Sequence, residues 1–350
     1  MTGLFLIVMA LILGRVLHLP RQVTLLVVAV LWVGMLALQV AAPGSSAAAA
    51  VGGNAAGWLV LGAVVALIAG YRRLLRRLRV QATPPAPVAS FDPSLSEAEL
   101  DRYARHLVLP QIGGAGQMRL KSARVLIVGA GGLGAPLCLY LAAAGVGRIT
   151  LADDDTVALS NLQRQVIFRD DLRGEPKAYA AAQAMLALNP RLDVTPLTRR
   201  ITEADADLIA RHDLVIDGTD SFEGRAAINR ACVAAGVPLL WGAIGQWDGQ
   251  VALLDPARGG PCLACLFPAA PETDAPCATA GVVGALPGIV GSIMALEAIK
   301  HLTGAGQGLR GRMMLFDALY GDSRMIATAR DPACPVCGTQ SALEPAAGQP

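Results

Sequence analysis

Residues Val125 to Gly134 read VLIVGAGGLG, an apolar strand-like run that enters a glycine turn with no polar residue between them. Gly129, Gly131 and Gly134 occupy the three places of the Gly-x-Gly-x-x-Gly fingerprint, with Gly132 beside them. Such a stretch commits the chain to strand, tight turn and helix, with backbone N–H groups and the positive end of the helix turned toward a phosphate. The turn by itself does not separate a nicotinamide dinucleotide from another phosphate-bearing ligand, or either from a turn without ligand. Asp153 follows about twenty residues on, where an acid that binds a ribose is expected.

The surrounding chain alternates. Strand-like runs fall at Arg124–Val128, Arg148–Ala152, Asp193–Leu197, Leu214–Asp217, Pro238–Gly242, Gln250–Leu254 and Met313–Phe316. Helix-like runs fall between the early ones, at Ala135–Ala144, Lys177–Leu188 and Arg225–Ala235. Alternation of this kind predicts an α/β fold, a Rossmann-like mostly parallel sheet with helices on both faces. Ser96 and Glu99 form a capping-box pair that opens the first helix of this part. Gly281–Ala298 is apolar, but Pro287 and several glycines interrupt it, so it is expected to be a buried helix beginning after Pro287.

The N-terminal part is of another kind. No Asp, Glu, Lys or Arg occurs from Gln22 to Tyr71. Val23–Ala42 and Ala55–Tyr71 are apolar over roughly the length that crosses a bilayer core of about 30 Å. Gly3–Leu13 is a shorter third candidate, and APGSSAAAAVGGN between the two longer stretches is expected to be a short flexible loop. Met1–Leu13 lacks the basic residue that begins a cleaved signal peptide. Residues 1–80 are therefore expected to be a membrane region of two or three transmembrane helices. The proline-rich segment 81–95 then acts as a stiff spacer. The α/β domain is expected over 96–340, with a disordered tail at 341–350. Arg72, Arg73, Arg76, Arg77 and Arg79 come directly after the last apolar stretch, and the uncharged loop lies at its other end. That asymmetry places the remainder of the chain on the cytoplasmic side of an inner membrane.

Residues 1–80 contain seven Arg and no acid, so of 29 basic residues 22 remain downstream against 27 acidic ones, a net of −5. An acidic domain lacks the footprint of a nucleic-acid binder.

DDDTVALSNLQRQVIF brings Asn161, Gln163, Arg164 and Gln165 where a dehydrogenase continues its second strand and helix. Lys177 then opens a helix. A guanidinium and an ammonium beside a phosphate loop suit a triphosphate, whose outer groups carry most of the charge.

GAGGLG, SNLQRQ, Lys177, DGTDS and two Cys-x-x-Cys pairs together resemble the ubiquitin-activating-like (E1-like) adenylyltransferases. The resemblance is to the type of the molybdopterin-synthase activator and the thiazole-synthesis activator. It runs from about Arg102 to Gly338 and leaves the apolar N-terminal part outside. It implies that Gly129, Gly131, Gly132 and Gly134 lie under ATP and that Asp153 binds its ribose. By the same resemblance, Asn161, Arg164 and Lys177 hold the phosphates, and Asp220 in DGTDS holds Mg²⁺. Arg105 in RYARH matches an arginine that reaches the site from the other subunit of a homodimer. The expected substrate is the C-terminal Gly-Gly carboxylate of a small β-grasp sulfur-carrier protein, converted to an acyl-adenylate with release of pyrophosphate. The purpose is sulfur transfer in molybdopterin or thiamine biosynthesis. A carboxylate of pKa near 3.5 is already ionised and needs no general base. In keeping with this, none of His18, His106, His212 and His301 stands in a catalytic pattern. No rhodanese-like segment is appended, so a sulfurtransferase or cysteine desulfurase is the expected sulfur source.

The seven cysteines divide by spacing. Cys262-x-x-Cys265 and Cys334-x-x-Cys337 are two knuckle pairs suited to a structural Zn²⁺ that clips the C-terminal end to the domain. The alternatives are disulfides or a redox pair, and a cytoplasmic setting disfavours stable disulfides. Cys138 and Cys232 lie in apolar helices and read as core. Cys277 matches a family cysteine able to form a covalent link with the partner, while an ordinary loop cysteine is the competing reading. Three other functions stand beside the adenylyltransferase: an ATP-dependent tRNA-base dehydratase of the same superfamily, an NAD-dependent oxidoreductase, and a degenerate tethered binding module.

Overall fold

Along Arg124–Val128 (β1), Val125 and Ile127 pack into one apolar cluster with Leu137, Leu141, Val290 and Met294. The intervening Leu126 and Val128 pack into a second cluster with Ile228, Ala231 and Trp241. A strand buried on both faces has no polar side to show, which is why VLIV runs apolar without alternation. The computed structural model describes residues 2–17, 21–81, 94–269 and 281–338. The chain divides into two compact units, Met1–Thr83 and Pro84–Pro350.

In the larger unit the strands are β1, Arg148–Ala152 (β2), Asp193–Leu197 (β3), Leu214–Asp217 (β4), Leu239–Ile244 (β5), Asp248–Leu254 (β6), Arg312–Asp317 (β7) and Asp322–Ala327 (β8). They form one sheet in the order β3-β2-β1-β4-β5-β6-β7-β8. β1 to β5 pair in parallel, and β6, β7 and β8 extend the sheet as antiparallel strands. Helices Gly134–Ala144 and Lys177–Leu188 connect β1 to β2 and β2 to β3, and Phe222–Ala235 connects β4 to β5. The chain order reverses direction between β1 and β4, the switch point at which open α/β sheets bind ligands. Pro196 is accommodated because β3 is an edge strand that needs no N–H there.

The observed elements differ from expectation in small ways. β5 and the helix Phe222–Ala235 start or extend a few residues beyond the apolar pattern, the helix because Ser221 caps it by accepting from Gly224 N–H at 3.2 Å. The long helix runs from Ala285 to Thr303, two residues before Pro287, which sits in the first turn where a missing N–H costs nothing. β8 was not expected at all.

In the smaller unit, helices span Thr2–Val16, Arg21–Ala41 and Ala55–Gln81. The segment expected to be a flexible loop contains a short helix, Ser46–Val51. Its alanines favour helix, and Ser45 caps it by accepting from Ala48 N–H at 3.1 Å. The buried Gln39 amide donates to Ala48 O at 2.9 Å, and the Trp58 indole donates to Gly52 O at 3.0 Å. The Thr2 hydroxyl donates to Ala50 O. Two described helices are long and apolar enough to cross a membrane, Val23–Ala41 with mean hydropathy 2.5 and Ala285–Thr303 with 1.3. The second has 44% of its span buried inside its own domain, as a core helix does. The smaller unit instead turns large apolar side chains outward, among them Phe5, Leu26, Val30, Val60 and Leu67.

Candidate active site

The C-terminal ends of β1, β2 and β4 open into a cleft of about 570 Å³. Its floor is the glycine turn. Gly129 has φ +94°, and a side chain on Gly134 would begin 2.0 Å from Gly129 O. Both positions therefore exclude every residue but glycine. Gly134 sits behind the turn as the first residue of its helix, while Gly129, Gly131 and Gly132 line the cleft.

Asp153, at the end of β2, is tied to this turn. Its Oδ2 accepts from Ala130 N–H at 2.7 Å and its Oδ1 from Asp155 N–H at 2.9 Å. Burial pushes its carboxyl above the ordinary value, against the pull of those two N–H groups and of Lys177. Each oxygen keeps an acceptor site that a ribose hydroxyl can use.

Asn161 and Arg164 come from the next turn along the chain, with the Arg164 guanidinium held by Ser160 O at 3.1 Å and Asn161 Oδ1 at 3.4 Å. Lys177 begins its helix behind Pro176, and its Nζ lies 2.6 Å from Asp155 Oδ2. The backbone repeats the pairing: Lys177 N–H donates to Asp155 O at 2.9 Å, and Thr156 bridges Pro176. Asp155 is the partner that sequence reasoning missed. It lay unremarked in the DDD run, two residues past Asp153.

The third wall is the DGTDS segment at the end of β4. Asp217 is fully buried, its Oδ1 accepting from Thr219 N–H at 2.9 Å and from the Thr219 hydroxyl at 2.7 Å. Arg225 donates to Thr219 O at 2.6 Å and lies over Trp241, 5.9 Å from the ring centre. This bracing presents Asp220 as an exposed carboxylate in the cleft. A hard oxygen donor there, in the same cleft as the glycine turn, fits Mg²⁺.

Gly129, Gly131, Gly132, Asp153, Asn161, Arg164, Lys177 and Asp220 thus line one cleft. Arg105 does not; it is exposed on the short helix Ala104–Leu107. Cys277 and His18 lie outside the described residues. His212 is spent structurally, bonded to Thr150 Oγ1 and Leu208 O, both at 2.9 Å. His106 likewise bonds Gln117 at 3.0 Å. Cys138 and Cys232 are buried core thiols, and burial holds Cys138 up at about 12.

The four remaining cysteines converge. Sγ of Cys262 lies 3.8 Å from Cys265 and 3.6 Å from Cys334, and Cys265 lies 3.4 Å from Cys337. All four sulfurs fall within 4.8 Å of one another. A disulfide needs about 2.05 Å, whereas a tetrahedral zinc with Zn–S of about 2.3 Å sets its sulfurs about 3.8 Å apart. The donor set and spacing fit zinc. Burial raises Cys334, but N–H groups of Cys337 and Val336 directed at its sulfur hold it down at about 7.

The ThiF family model matches residues 103–336. The chain is 47% identical over 252 residues to the sulfur carrier protein adenylyltransferase of Thermus thermophilus, an alignment covering 70% of this chain and 93% of that one. It is 44% identical over 245 residues to the molybdopterin-synthase adenylyltransferase of Escherichia coli, covering 70% and 98%. Among solved structures, Escherichia coli MccB with ATP matches with a TM-score of 0.60 at 23% identity, over 71% of this chain and 76% of MccB. That likeness is one of fold. The family that the motifs resemble is thereby established: this chain belongs to the ThiF family.

Proposed function

We propose that the chain is an ATP-dependent adenylyltransferase that activates the C-terminal Gly-Gly carboxylate of a small β-grasp sulfur-carrier protein. The observation that carries this reading is the meeting of the glycine turn, Asp153, Asn161, Arg164, Lys177 and Asp220 in one cleft. Relatives that share 44–47% of their residues with it over nearly their whole length are named as adenylyltransferases of a sulfur carrier protein and of molybdopterin synthase. Those names favour carrier activation over the tRNA-base and NAD readings.

Asp153 orients the ribose, and the glycine turn receives the phosphates on backbone N–H groups. One carboxylate oxygen of the carrier attacks the α-phosphorus. The new O–P bond forms as the bond to the β-phosphate bridge breaks, and pyrophosphate leaves with the electron pair. Arg164 and Lys177 hold the negative charge that accumulates on the leaving group. Asp220 would hold Mg²⁺, which when bound neutralises phosphate charge. No residue need accept a proton, because the nucleophile arrives ionised.

Arg105, exposed and not among the residues that line its own chain's cleft, suits delivery to the cleft of a second copy in a homodimer. A separate sulfurtransferase or cysteine desulfurase supplies sulfur to the adenylate. The N-terminal unit anchors the enzyme in the cytoplasmic membrane as a multi-pass region, a reading supported by its outward apolar side chains and by the arginine cluster after them. The test of the substrate is co-purification of the solubilised chain with a tagged Gly-Gly-ending carrier and Mg-ATP, read by intact mass. A carrier heavier by one AMP supports the reading; an unmodified carrier in the presence of hydrolysed ATP would count against it.

A further inference from the structure

Asn161, Arg164 and Gln165 come from one turn of the chain, and all three line the cleft. The first two are accounted for as phosphate ligands. Gln165 is not, and its situation is unusual. The residue is 4% exposed, yet it lines the cleft. Its Oε1 is sealed from solvent and meets no donor among the described residues. Its Nε2 lies beside the glycine turn, 3.7 Å from where a side chain on Gly131 would begin. The backbone fixes it there: Gln165 N–H donates to Asn161 O at 3.0 Å and its carbonyl accepts from Phe168 N–H at 3.1 Å.

A buried amide with an unmet oxygen costs free energy that an apolar side chain of the same shape would avoid. Met or Leu would fill this space. What Gln165 has that they lack is an amide N–H pair close to the turn. The occupant of that position can be deduced from the neighbours. Ala130 N–H is bonded to Asp153, the ribose acid, and Gly131 is the next residue. In a nucleotide the group next to the ribose is the α-phosphate. The two cations, Arg164 and Lys177, remain for the outer phosphates.

We infer that Gln165 is a catalytic donor to the α-phosphoryl group, its Nε2–H meeting a non-bridging oxygen whose charge and geometry change as the carboxylate attacks. This rests on the adenylyltransferase reading and adds to it a residue acting at the reacting phosphorus itself. A donor preorganised in a dry site favours the crowded transition state over the ground state, so it acts on turnover more than on binding.

The experiment is ATP–pyrophosphate exchange by the full-length solubilised chain with a Gly-Gly-ending carrier, comparing wild type, Gln165→Met and Gln165→Glu. The isosteric Gln165→Met should lower kcat roughly 100-fold, the cost of one lost donor, with KM for ATP within about threefold of wild type. Gln165→Glu, which sets a carboxylate against the phosphate, should lower kcat further and raise KM. Each enzyme is also given the two diastereomers of ATP bearing sulfur on the α-phosphorus, with Mg²⁺ throughout. Wild type should discriminate against one of them, because sulfur accepts hydrogen bonds poorly. Gln165→Met should lose at least about fivefold of that discrimination, a change that a merely packed side chain would not produce. Unaltered discrimination, or Gln165→Met exchange within twofold of wild type, would overturn the assignment while leaving the function intact. Wild type inactive in exchange would overturn both.

Discussion

Lys177 Nζ lies 2.6 Å from Asp155 Oδ2, with the lysine side chain 6% exposed and the aspartate side chain 64% exposed. A buried ammonium meets a carboxylate at the mouth of the cleft. Burial would raise the Asp155 carboxyl, but the Lys177 hydrogen bond, Thr156 N–H and nearby cations hold it below its ordinary 3.8. The pair therefore contributes stability fully above pH 3.8 and loses it as pH falls through the lowered value. Asp155→Asn should lower the melting temperature near pH 7 by no more than about 3 °C, because the exposed partner is screened. The gap should close in acid, and saturating Mg-ATP should narrow it as phosphates take over the ammonium. A gap of constant size across pH would show that the pair is not its source.

Asp217 behaves with the opposite sign. Burial holds its carboxyl above 3.8, outweighing Arg225 and the Thr219 donors, and its Oδ2 meets no partner among the described residues. Its stabilising contribution is present below pH 3.8 and is lost as pH rises through the raised value. Asp217→Asn keeps the acceptor for Thr219 and abolishes the charge. The variant should gain on wild type as pH rises through that window and melt at or above it at pH 7.5. Equal destabilisation of the variant at every pH would show that hydrogen-bond geometry, and not charge, governs the site.

Much of this was legible in the residues. β1 to β4 fall where the pattern places them, and for β1 and β4 the reason is plain: a strand buried on both faces leaves few polar residues to blur its limits. The glycine turn could be read for a steric reason, since Gly129 and Gly134 admit nothing else. β8 could not be read: every residue of DSRMIA is exposed at the edge of the sheet, so burial imposes no pattern on it. Asp155 was hidden differently. Its role depends on the Thr156–Pro176 bridge, which joins segments twenty residues apart and leaves no periodic trace. The helix Ser46–Val51 was masked by a glycine-rich flank that reads as loop, although its Ser45 cap was visible. Gln165 was noticed in the motif, but only its burial and its unmet oxygen distinguish it from its neighbours.

The cysteine cluster predicts one tightly bound Zn²⁺ per chain, measured by elemental analysis of freshly purified, reduced protein. Cys334→Ser should lose more than about half of the metal and melt earlier, because binding of a structural zinc is folding free energy. Metal-free protein with intact thiols and an unchanged melting temperature would refute the zinc site.

The membrane reading predicts sidedness. A reporter fused after Arg79 should be active only as a cytoplasmic protein, and a cysteine placed at Gly44 should react with an impermeant reagent added from outside the cell. Labelling at Gly44 only after permeabilisation would reverse the topology and remove the domain from its ATP.

The central claim is that the cleft transfers adenylate from ATP to a carrier carboxylate. Its most direct measurement is incorporation of labelled pyrophosphate into ATP by the solubilised chain. The account predicts exchange that requires both Mg²⁺ and a Gly-Gly-ending carrier, and that falls by at least about a thousandfold in Lys177→Ala and in Asp220→Ala while both variants keep the wild-type fold. Tight NAD binding without ATP binding, or exchange that survives loss of either residue, would contradict it.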